Sequence, residues 1–237
     1  DASSGVALVD QILDTAEQKG TGRWTSQNSL DLGTPIPTID AAVIARSMSS
    51  RKEERIAASL KLTGPTIEPI TGEAERAALI DHLEHALYFA KISSYAQGMA
   101  LLQAASATYN WDLHLAEIAR IWMAGCIIRA ELLDPIRAAF KNEPALVNLL
   151  LAPHITKDVN ESGPSARIAV ETAVRNGIPV PAYSASLNYV DTYRTEKLPA
   201  NLIQALRDNF GAHTYRRLDK PGVFHTNWTT GATETIG

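Results

Sequence analysis

The chain has 237 residues, with 22 Lys and Arg against 26 Asp and Glu, a formal net charge of −4, and 45% hydrophobic residues. This apolar fraction excludes a disordered chain, and a chain of this length can bury a core without disulfides or metal ions. The acidic balance argues against general nucleic-acid binding, and no apolar run approaches the ~20 residues of a membrane-spanning helix, so we expect neither nucleic acid nor membrane as a partner.

Helical periodicity dominates the first half of the chain. Apolar residues share one face over 6–16, and Gly20 follows where a C-terminal cap is expected, at the start of a turn-rich stretch. A second helix is predicted for 40–49. A proline-free run over 73–108 then predicts one long helix, long enough to span the whole domain.

The second half continues in the same pattern and changes near its end. The predicted helices are 113–130, 144–151, 165–176, 182–193 and 199–209. Beyond them Gly, Pro and Thr predict an extended tail, in which Phe224 and Trp228 need an apolar surface. Alternating strand patterns are nearly absent. We therefore predict an all-α fold, with a large helical domain over 1–196 and a C-terminal helix and tail over 197–237.

Most catalytic templates find no match in this sequence. There is no G-x-S-x-G, no H-E-x-x-H and no Walker loop. Gly20-Thr21-Gly22 begins like the dinucleotide fingerprint G-x-G-x-x-G. However, Thr25 replaces the third glycine and the segment follows a predicted helix instead of a strand, so we reject a dinucleotide site here.

Two other candidate sites have simpler interpretations. His82 and His85 could share a helix face as metal ligands, but no third ligand is indicated, so a solvated or packed helix face is favoured and no metal is assigned. Cys126 lies among apolar residues, and a buried small hydrophobe is favoured over a reactive thiol. A single cysteine excludes an intrachain disulfide and fits a reducing compartment, so we expect a cytoplasmic protein.

Two segments have the chemistry to bind an anion. Lys19 and Thr21 flank glycine in K-G-T-G, which offers an ammonium, a hydroxyl and accessible amides, although a plain helix C-cap explains the same spacing. Arg207 and His213 lie on either side of a turn at Gly211. A guanidinium matches phosphate bidentately, whereas a lone histidine in a tail is usually a surface residue. Spacing alone leaves both alternatives open.

Taken together, the segments of this chain resemble the family of 6-phosphogluconate dehydrogenases, the decarboxylating enzymes of the pentose phosphate pathway. The motifs that carry the resemblance are, in chain order, LVDQILD, KGTGRWT, KISSYAQG, YNWDL, AGCIIRA, LPANLIQA, FGAHTY and FHTNW. They cover nearly the whole chain, and in combination they are very specific.

The resemblance covers only part of that family's enzyme. Its nucleotide-binding domain and a helix with the catalytic lysine and glutamate precede the point where this chain starts, so we expect no catalytic residue here. The sequence also begins without Met, and we expect a fragment or a processed chain. The implied fold is the all-α dehydrogenase domain, whose tail threads into the partner subunit of a homodimer. NADP is the implied cofactor, with no contact assigned to this chain.

Five substrate contacts are implied by the resemblance. Lys19 and Thr21 of the K-G-T-G turn, together with Arg46, are expected to bind the phosphate and hydroxyls of 6-phosphogluconate. Arg207 and His213 are expected to come from the tail of the other subunit. The implied reaction transfers a hydride from C3 to NADP, loses the carboxylate as CO₂ and yields ribulose 5-phosphate, without a metal.

Some positions depart from the family pattern. Leu206 and Asn209 stand where the tail motif commonly has glutamine and tyrosine, which could alter tail packing, and 229–237 receives no role. One alternative is a non-catalytic helical dimerisation module, in which Lys19 and Arg207 are ordinary cap and surface charges. A related hydroxyacid dehydrogenase is a further alternative, which the two anion-binding motifs disfavour.

Overall fold

The computed structural model of the protein describes residues 5–236, which divide after Val190 into two compact units. In chain order the helices are α1 (Leu8–Gln11), α2 (Thr21–Asp31), α3 (Pro37–Ser49), α4 (Lys52–Ser59), α5 (Glu73–Tyr109), α6 (Leu115–Trp122), α7 (Leu133–Asn142), α8 (Pro153–Arg175), α9 (Pro181–Tyr193) and α10 (Ala200–Gly211). A 3-10 turn, Leu149–Leu151, precedes α8. The all-α prediction is confirmed, and no helix within residues 5–236 is long and apolar enough to cross a membrane.

The core of the first unit forms where α5 packs along α8. Helix α5 buries Ile92, Ala96 and Met99, which are three or four residues apart and therefore share one helix face. Helix α8 buries Ala166 and Ala169 in the same cluster. Each fully buried side chain of the size of Ile92 stabilises the fold by about 1.5–3 kcal/mol relative to an exposed position.

The long predicted helix over 73–108 is confirmed as α5, which has 37 residues and a length of about 55 Å. It ends at Asn110, whose left-handed backbone (φ 55°) stops the helix. The predicted helix over 40–49 is also confirmed. It begins earlier, at Pro37, because proline has no N–H and its fixed φ suits the first helical turn.

A buried polar contact joins α3 to α5. The Gln97 side chain on α5 is 0% exposed, and its Oε1 accepts a hydrogen bond from Thr38 N over 2.9 Å. Its Nε2 donates to Thr38 Oγ1 over 2.8 Å, and Ser186 Oγ lies 3.0 Å from the same hydroxyl. Gln97 thus holds the N-terminal turn of α3 against the central helix.

The first predicted helix, over 6–16, is wrong in extent. Only Leu8–Gln11 is helical, and none of its residues is buried. A helix without a packed face is marginal, because nucleation is costly and short helices depend on tertiary contacts. The turn expected from Gly20 onward is also wrong, since Gly20 (φ 106°) immediately precedes α2.

Three predicted helices in the second half have different bounds. The helix over 113–130 is confined to α6, and Gly125 (φ 75°) lies in the turns that follow it. Over 144–151 only the 3-10 turn forms, where the Asn148 side chain accepts a hydrogen bond from Leu150 N. Conversely, α8 begins at Pro153, well before the predicted start at 165. Pro164, which precedes that predicted start, lies inside the helix and does not interrupt it. Helices α2, α4 and α7 were not predicted.

The second unit contains α10 and a small sheet that was not predicted. Its strands β1 (Tyr215–Arg216), β2 (Val223–Thr226) and β3 (Thr233–Thr235) pair antiparallel in that order. Phe224 is buried, with Lys220 Nζ 5.0 Å from its ring centroid, whereas Trp228 is half-exposed. The region expected to be an extended tail is therefore a folded element.

Candidate functional site

The K-G-T-G segment forms the N-terminal end of α2, not the C-terminal end of a preceding helix. Thr21 is the first residue of α2, Gly20 lies just before it, and exposed Lys19 precedes both. The first amides of a helix have no intrahelical acceptor and lie at the positive end of its dipole. The helix C-cap interpretation of this segment is wrong, and the observed geometry suits an anion.

Arg46 lies directly against this helix end. A Cβ atom on Gly22 would lie 2.7 Å from Arg46 Nη2 and 2.9 Å from Val43 Cγ2, so glycine is required for the close approach of α3 to α2. The half-buried guanidinium of Arg46 therefore lies beside the first turn of α2. The structure thus brings Thr21 and Arg46, two of the predicted substrate-binding residues, to the same end of one helix pair.

A charged cluster secures the segment that leads into α2. The Asp14 carboxylate accepts from Lys52 Nζ (2.6 Å) and Arg55 Nη1 (3.0 Å), while Arg55 Nη2 donates to the carbonyls of Asp14 and Ser49. Hydrogen bonds from Arg55 and Lys52 hold the pKa of Asp14 well below its ordinary value. Ala16 N also donates to Ser49 Oγ. These contacts tie the chain just upstream of Lys19 to the region where α3 ends and α4 begins.

A cleft of about 710 Å³ adjoins Arg46, between α3, α5 and the turns after α6. Its walls are mainly apolar, and they carry three cations, Arg46, Lys91 and Arg129, with no carboxylate among the described lining residues. Tyr95 also lines the cleft and donates a hydrogen bond to Ile128 O. Lys91 and Arg129 belong to two of the family motifs, but the sequence alone assigned them no role. Their convergence on one cleft depends on tertiary packing.

The other two predicted substrate-binding residues both belong to the second unit. Arg207 is exposed on α10, and its Nη1 donates to Gln204 Oε1 over 3.2 Å. His213 is exposed in the link between α10 and β1. A Cβ atom on Gly211 would lie 3.0 Å from the His213 ring, so this glycine leaves room for the imidazole.

Asp208, next to Arg207, is a buried carboxylate with four hydrogen-bond donors. It is 0% exposed and accepts from Thr214 N (2.9 Å), Thr226 N (3.0 Å) and Trp228 Nε1 (2.9 Å), with His225 Nδ1 at 3.0 Å. Burial opposes ionisation, but the hydrogen bonds outweigh it and hold the pKa of Asp208 well below its ordinary value. Sequence reasoning assigned Asp208 no role, because its donors come from the unpredicted sheet region.

The remaining candidates have ordinary contacts. His82 Nδ1 lies 3.1 Å from Ser165 Oγ, and His85 Nδ1 lies 2.9 Å from Asp81 O. Within residues 5–236, no group of three His, Cys, Asp or Glu side chains could hold a metal ion. Cys126 is half-buried, and its thiol donates to a backbone carbonyl in α6.

Comparison with known proteins gives a consistent result. Residues 1–228 match the family model for the C-terminal domain of 6-phosphogluconate dehydrogenase. The chain is 54% identical to the decarboxylating 6-phosphogluconate dehydrogenase of Escherichia coli, over 94% of this chain and 47% of that protein. It is 53% identical to the NADP(+)-dependent decarboxylating enzyme of Bacillus subtilis, over 96% and 48%.

A solved structure shows the same similarity. Plasmodium falciparum 6-phosphogluconate dehydrogenase, studied in its apo form, with its cofactor NADP+ and with its substrate 6-phosphogluconate, matches with a TM-score of 0.87 and 44% identity. The match covers 96% of this chain and 49% of that protein. The chain spans about half the length of the relatives it matches.

Proposed function

The chain belongs to the 6-phosphogluconate dehydrogenase family, matching its C-terminal domain, and we propose that it is the substrate-binding half of the decarboxylating enzyme. The overall reaction converts 6-phosphogluconate to ribulose 5-phosphate and CO₂. NADP supplies the hydride acceptor for oxidation at C3. The described residues offer no dinucleotide-binding unit, because their only sheet is antiparallel and the glycines of the K-G-T-G segment do not follow a strand.

The observation that carries this proposal is the meeting of the K-G-T-G segment and Arg46 at the N-terminal end of α2. We propose that the first amides of α2, the Thr21 hydroxyl and the Arg46 guanidinium hold the substrate phosphate, with Lys19 as a further cation. Binding energy from this remote group orients C3 and the carboxylate for reaction elsewhere in the enzyme. The catalytic lysine and glutamate lie outside this chain.

We further propose a homodimer in which one copy supplies Arg207 and His213 to the substrate held by the other. In this arrangement, the helical domain over 1–196 binds substrate and forms the dimer interface. The C-terminal helix and tail over 197–237 reach the partner subunit. Both residues are exposed on a unit that has its own sheet and its own buried carboxylate. A cytoplasmic location is proposed as well, since a single cysteine fits a reducing compartment.

The test is Arg207→Ala in a full-length 6-phosphogluconate dehydrogenase that carries this sequence as its C-terminal half. Loss of one charge-assisted contact costs about 1.5–3 kcal/mol, which corresponds to a rise of roughly 10- to 150-fold in KM for 6-phosphogluconate. The matched control is Arg194→Ala, because that exposed arginine pairs with Asp191, three residues earlier in the chain, and has no predicted contact with substrate. An unchanged KM and kcat/KM in the Arg207 variant would refute the assignment.

A second measurement tests the absence of catalytic residues. The purified chain alone is expected to show no turnover of 6-phosphogluconate with NADP, because the proton-transfer groups lie outside it. Turnover that follows the chain through purification would contradict this account. If the full-length protein failed to bind 6-phosphogluconate at all, a non-catalytic helical dimerisation module would replace the proposal.

A further inference from the structure

The residue after His213 is held by both of its main-chain groups. Thr214 N donates to Asp208 Oδ1 over 2.9 Å, and Thr214 O accepts from Gln204 Nε2 over 2.6 Å. Both side chains come from α10, one helical turn apart, where residues i and i+4 share a face. The peptide groups on either side of Thr214 are therefore fixed to the helix that carries Arg207.

The backbone around His213 needs such support. Ala212 (φ 49°) and Thr214 (φ 60°) both adopt the left-handed conformation, which non-glycine residues rarely adopt and which is most unusual for a β-branched residue. Conformations of this kind persist only where the surrounding contacts determine them. His213 lies between these two residues, so the direction of its imidazole depends on contacts that hold the turn.

Gln204 connects the same turn to the second predicted contact. Its Nε2 donates to Thr214 O, while its Oε1 accepts from Arg207 Nη1 over 3.2 Å. One amide thus contacts the turn that bears His213 and the guanidinium of Arg207. Asp208 is anchored from the other side by donors from β2 and from Trp228, so it cannot move without the sheet.

We propose that Gln204 and Asp208 are positioning residues that fix Arg207 and His213 in the orientation that binds the substrate phosphate. This inference rests on the proposed function, in which Arg207 and His213 contact 6-phosphogluconate. Neither positioning residue touches the substrate. Each acts by removing alternative orientations, so that the two side chains are already oriented before the ligand arrives.

The decisive variant is Gln204→Met in the full-length enzyme. Methionine keeps the length and helix propensity of glutamine at a half-buried position, so the fold is retained. We expect KM for 6-phosphogluconate to rise about 5- to 20-fold, as for the loss of one to two net hydrogen bonds. We also expect the inhibition constant of inorganic phosphate to rise in parallel, with kcat and KM for NADP unchanged. The same substitution at exposed Gln27 on α2 is the control.

Non-additivity separates positioning from a general structural effect. In a variant that already carries Arg207→Ala and His213→Ala, Gln204→Met should change KM less than twofold, because nothing remains to be positioned. Asp208→Asn should raise KM for 6-phosphogluconate more than Gln204→Met does. The asparagine amide would point its own N–H groups at donors that the carboxylate now accepts from, so those hydrogen bonds would be lost. Thermal unfolding of each variant shows whether the second unit stays folded.

The outcomes distinguish this inference from the proposed function. If Arg207→Ala raises KM but Gln204→Met changes neither KM nor phosphate inhibition, the positioning roles are refuted while the proposed function stands. A fall in kcat at unchanged KM also refutes them. If Arg207→Ala itself has no effect, the proposed function and this inference both fail.

Discussion

A Gln97→Met substitution tests whether one buried amide holds α3 against α5. Gln97 is fully buried, and its two polar atoms bond Thr38 N and Thr38 Oγ1 at 2.9 and 2.8 Å. Thr38 N belongs to the first turn of α3, where no carbonyl of the helix itself can accept it. Methionine has a similar shape but cannot replace either hydrogen bond.

The expected loss of stability follows from the polar groups of Thr38 that lose Gln97 as a partner. A buried N–H without an acceptor costs about 1–3 kcal/mol, and the second lost hydrogen bond adds about 1 kcal/mol. The Thr38 hydroxyl keeps Ser186 as a partner, and the additional apolar volume of methionine returns about 0.8 kcal/mol. We therefore expect the free energy of unfolding to fall by about 1–3 kcal/mol.

Urea unfolding followed by far-ultraviolet circular dichroism measures this loss. Thr38→Val removes only the hydroxyl, so it should cost less than Gln97→Met, and the double variant should show a coupling of about 0.5–1.5 kcal/mol. Gln27→Met, at an exposed position on α2, should stay within about 0.5 kcal/mol of the parent protein. Equal effects at positions 97 and 27 would refute the assignment of a supporting role to this amide.

Two further substitutions test other contacts. Gly22→Ala would place a methyl group against Arg46 Nη2. It should weaken phosphate or 6-phosphogluconate binding about fivefold by calorimetry. It should also lower the free energy of unfolding by about 0–2 kcal/mol, because overlap with Val43 Cγ2 costs about 1–3 kcal/mol and the better helix propensity of alanine returns about 1 kcal/mol. Tyr88 is partly buried and donates to Asp158 Oδ2 over 2.7 Å, and these two effects raise its pKa to about 12. Because that pKa lies above the ordinary 10.0, the contribution of Tyr88 to stability is complete below pH 10 and lost as pH rises to about 12, and Tyr88→Phe should abolish this alkaline dependence.

The helical part of the fold could be predicted where local sequence and tertiary packing agree. The run that forms α5 has no proline and places its apolar residues at helical spacing, so its bounds follow closely from the sequence. The short α1 shows the opposite case. Its apolar side chains, such as Val9 at 72% exposure, are not buried against any of the described residues, and the periodic pattern therefore overestimates the helix.

The candidate site was predicted in composition but not in geometry. The family resemblance predicted Lys19, Thr21 and Arg46 as substrate contacts, whereas the sequence pattern assigned the K-G-T-G segment to the wrong end of a helix. Helix α2 is polar and was not predicted, because it depends on contacts such as Ser26 Oγ donating to Asp40 Oδ1 over 2.6 Å on α3. Asp208 could not be found from sequence, since its four donors come from residues that strand pairing brings back to α10.

The orientation of α2 changes the electrostatics of the site. The N-terminal end of a helix has a partial charge of roughly +0.5, and the first turn of α2 has neither an acidic residue nor a capping side chain. The fold adds the Arg46 guanidinium beside this end and Lys19 just before it. Both cations thus lie near the positive end of the α2 dipole, which repels them, and this repulsion lowers the stability of the free protein. Under the proposed function, a bound phosphate would offset that cost, so a chain with a net charge of −4 would still favour a small dianion at one helix end.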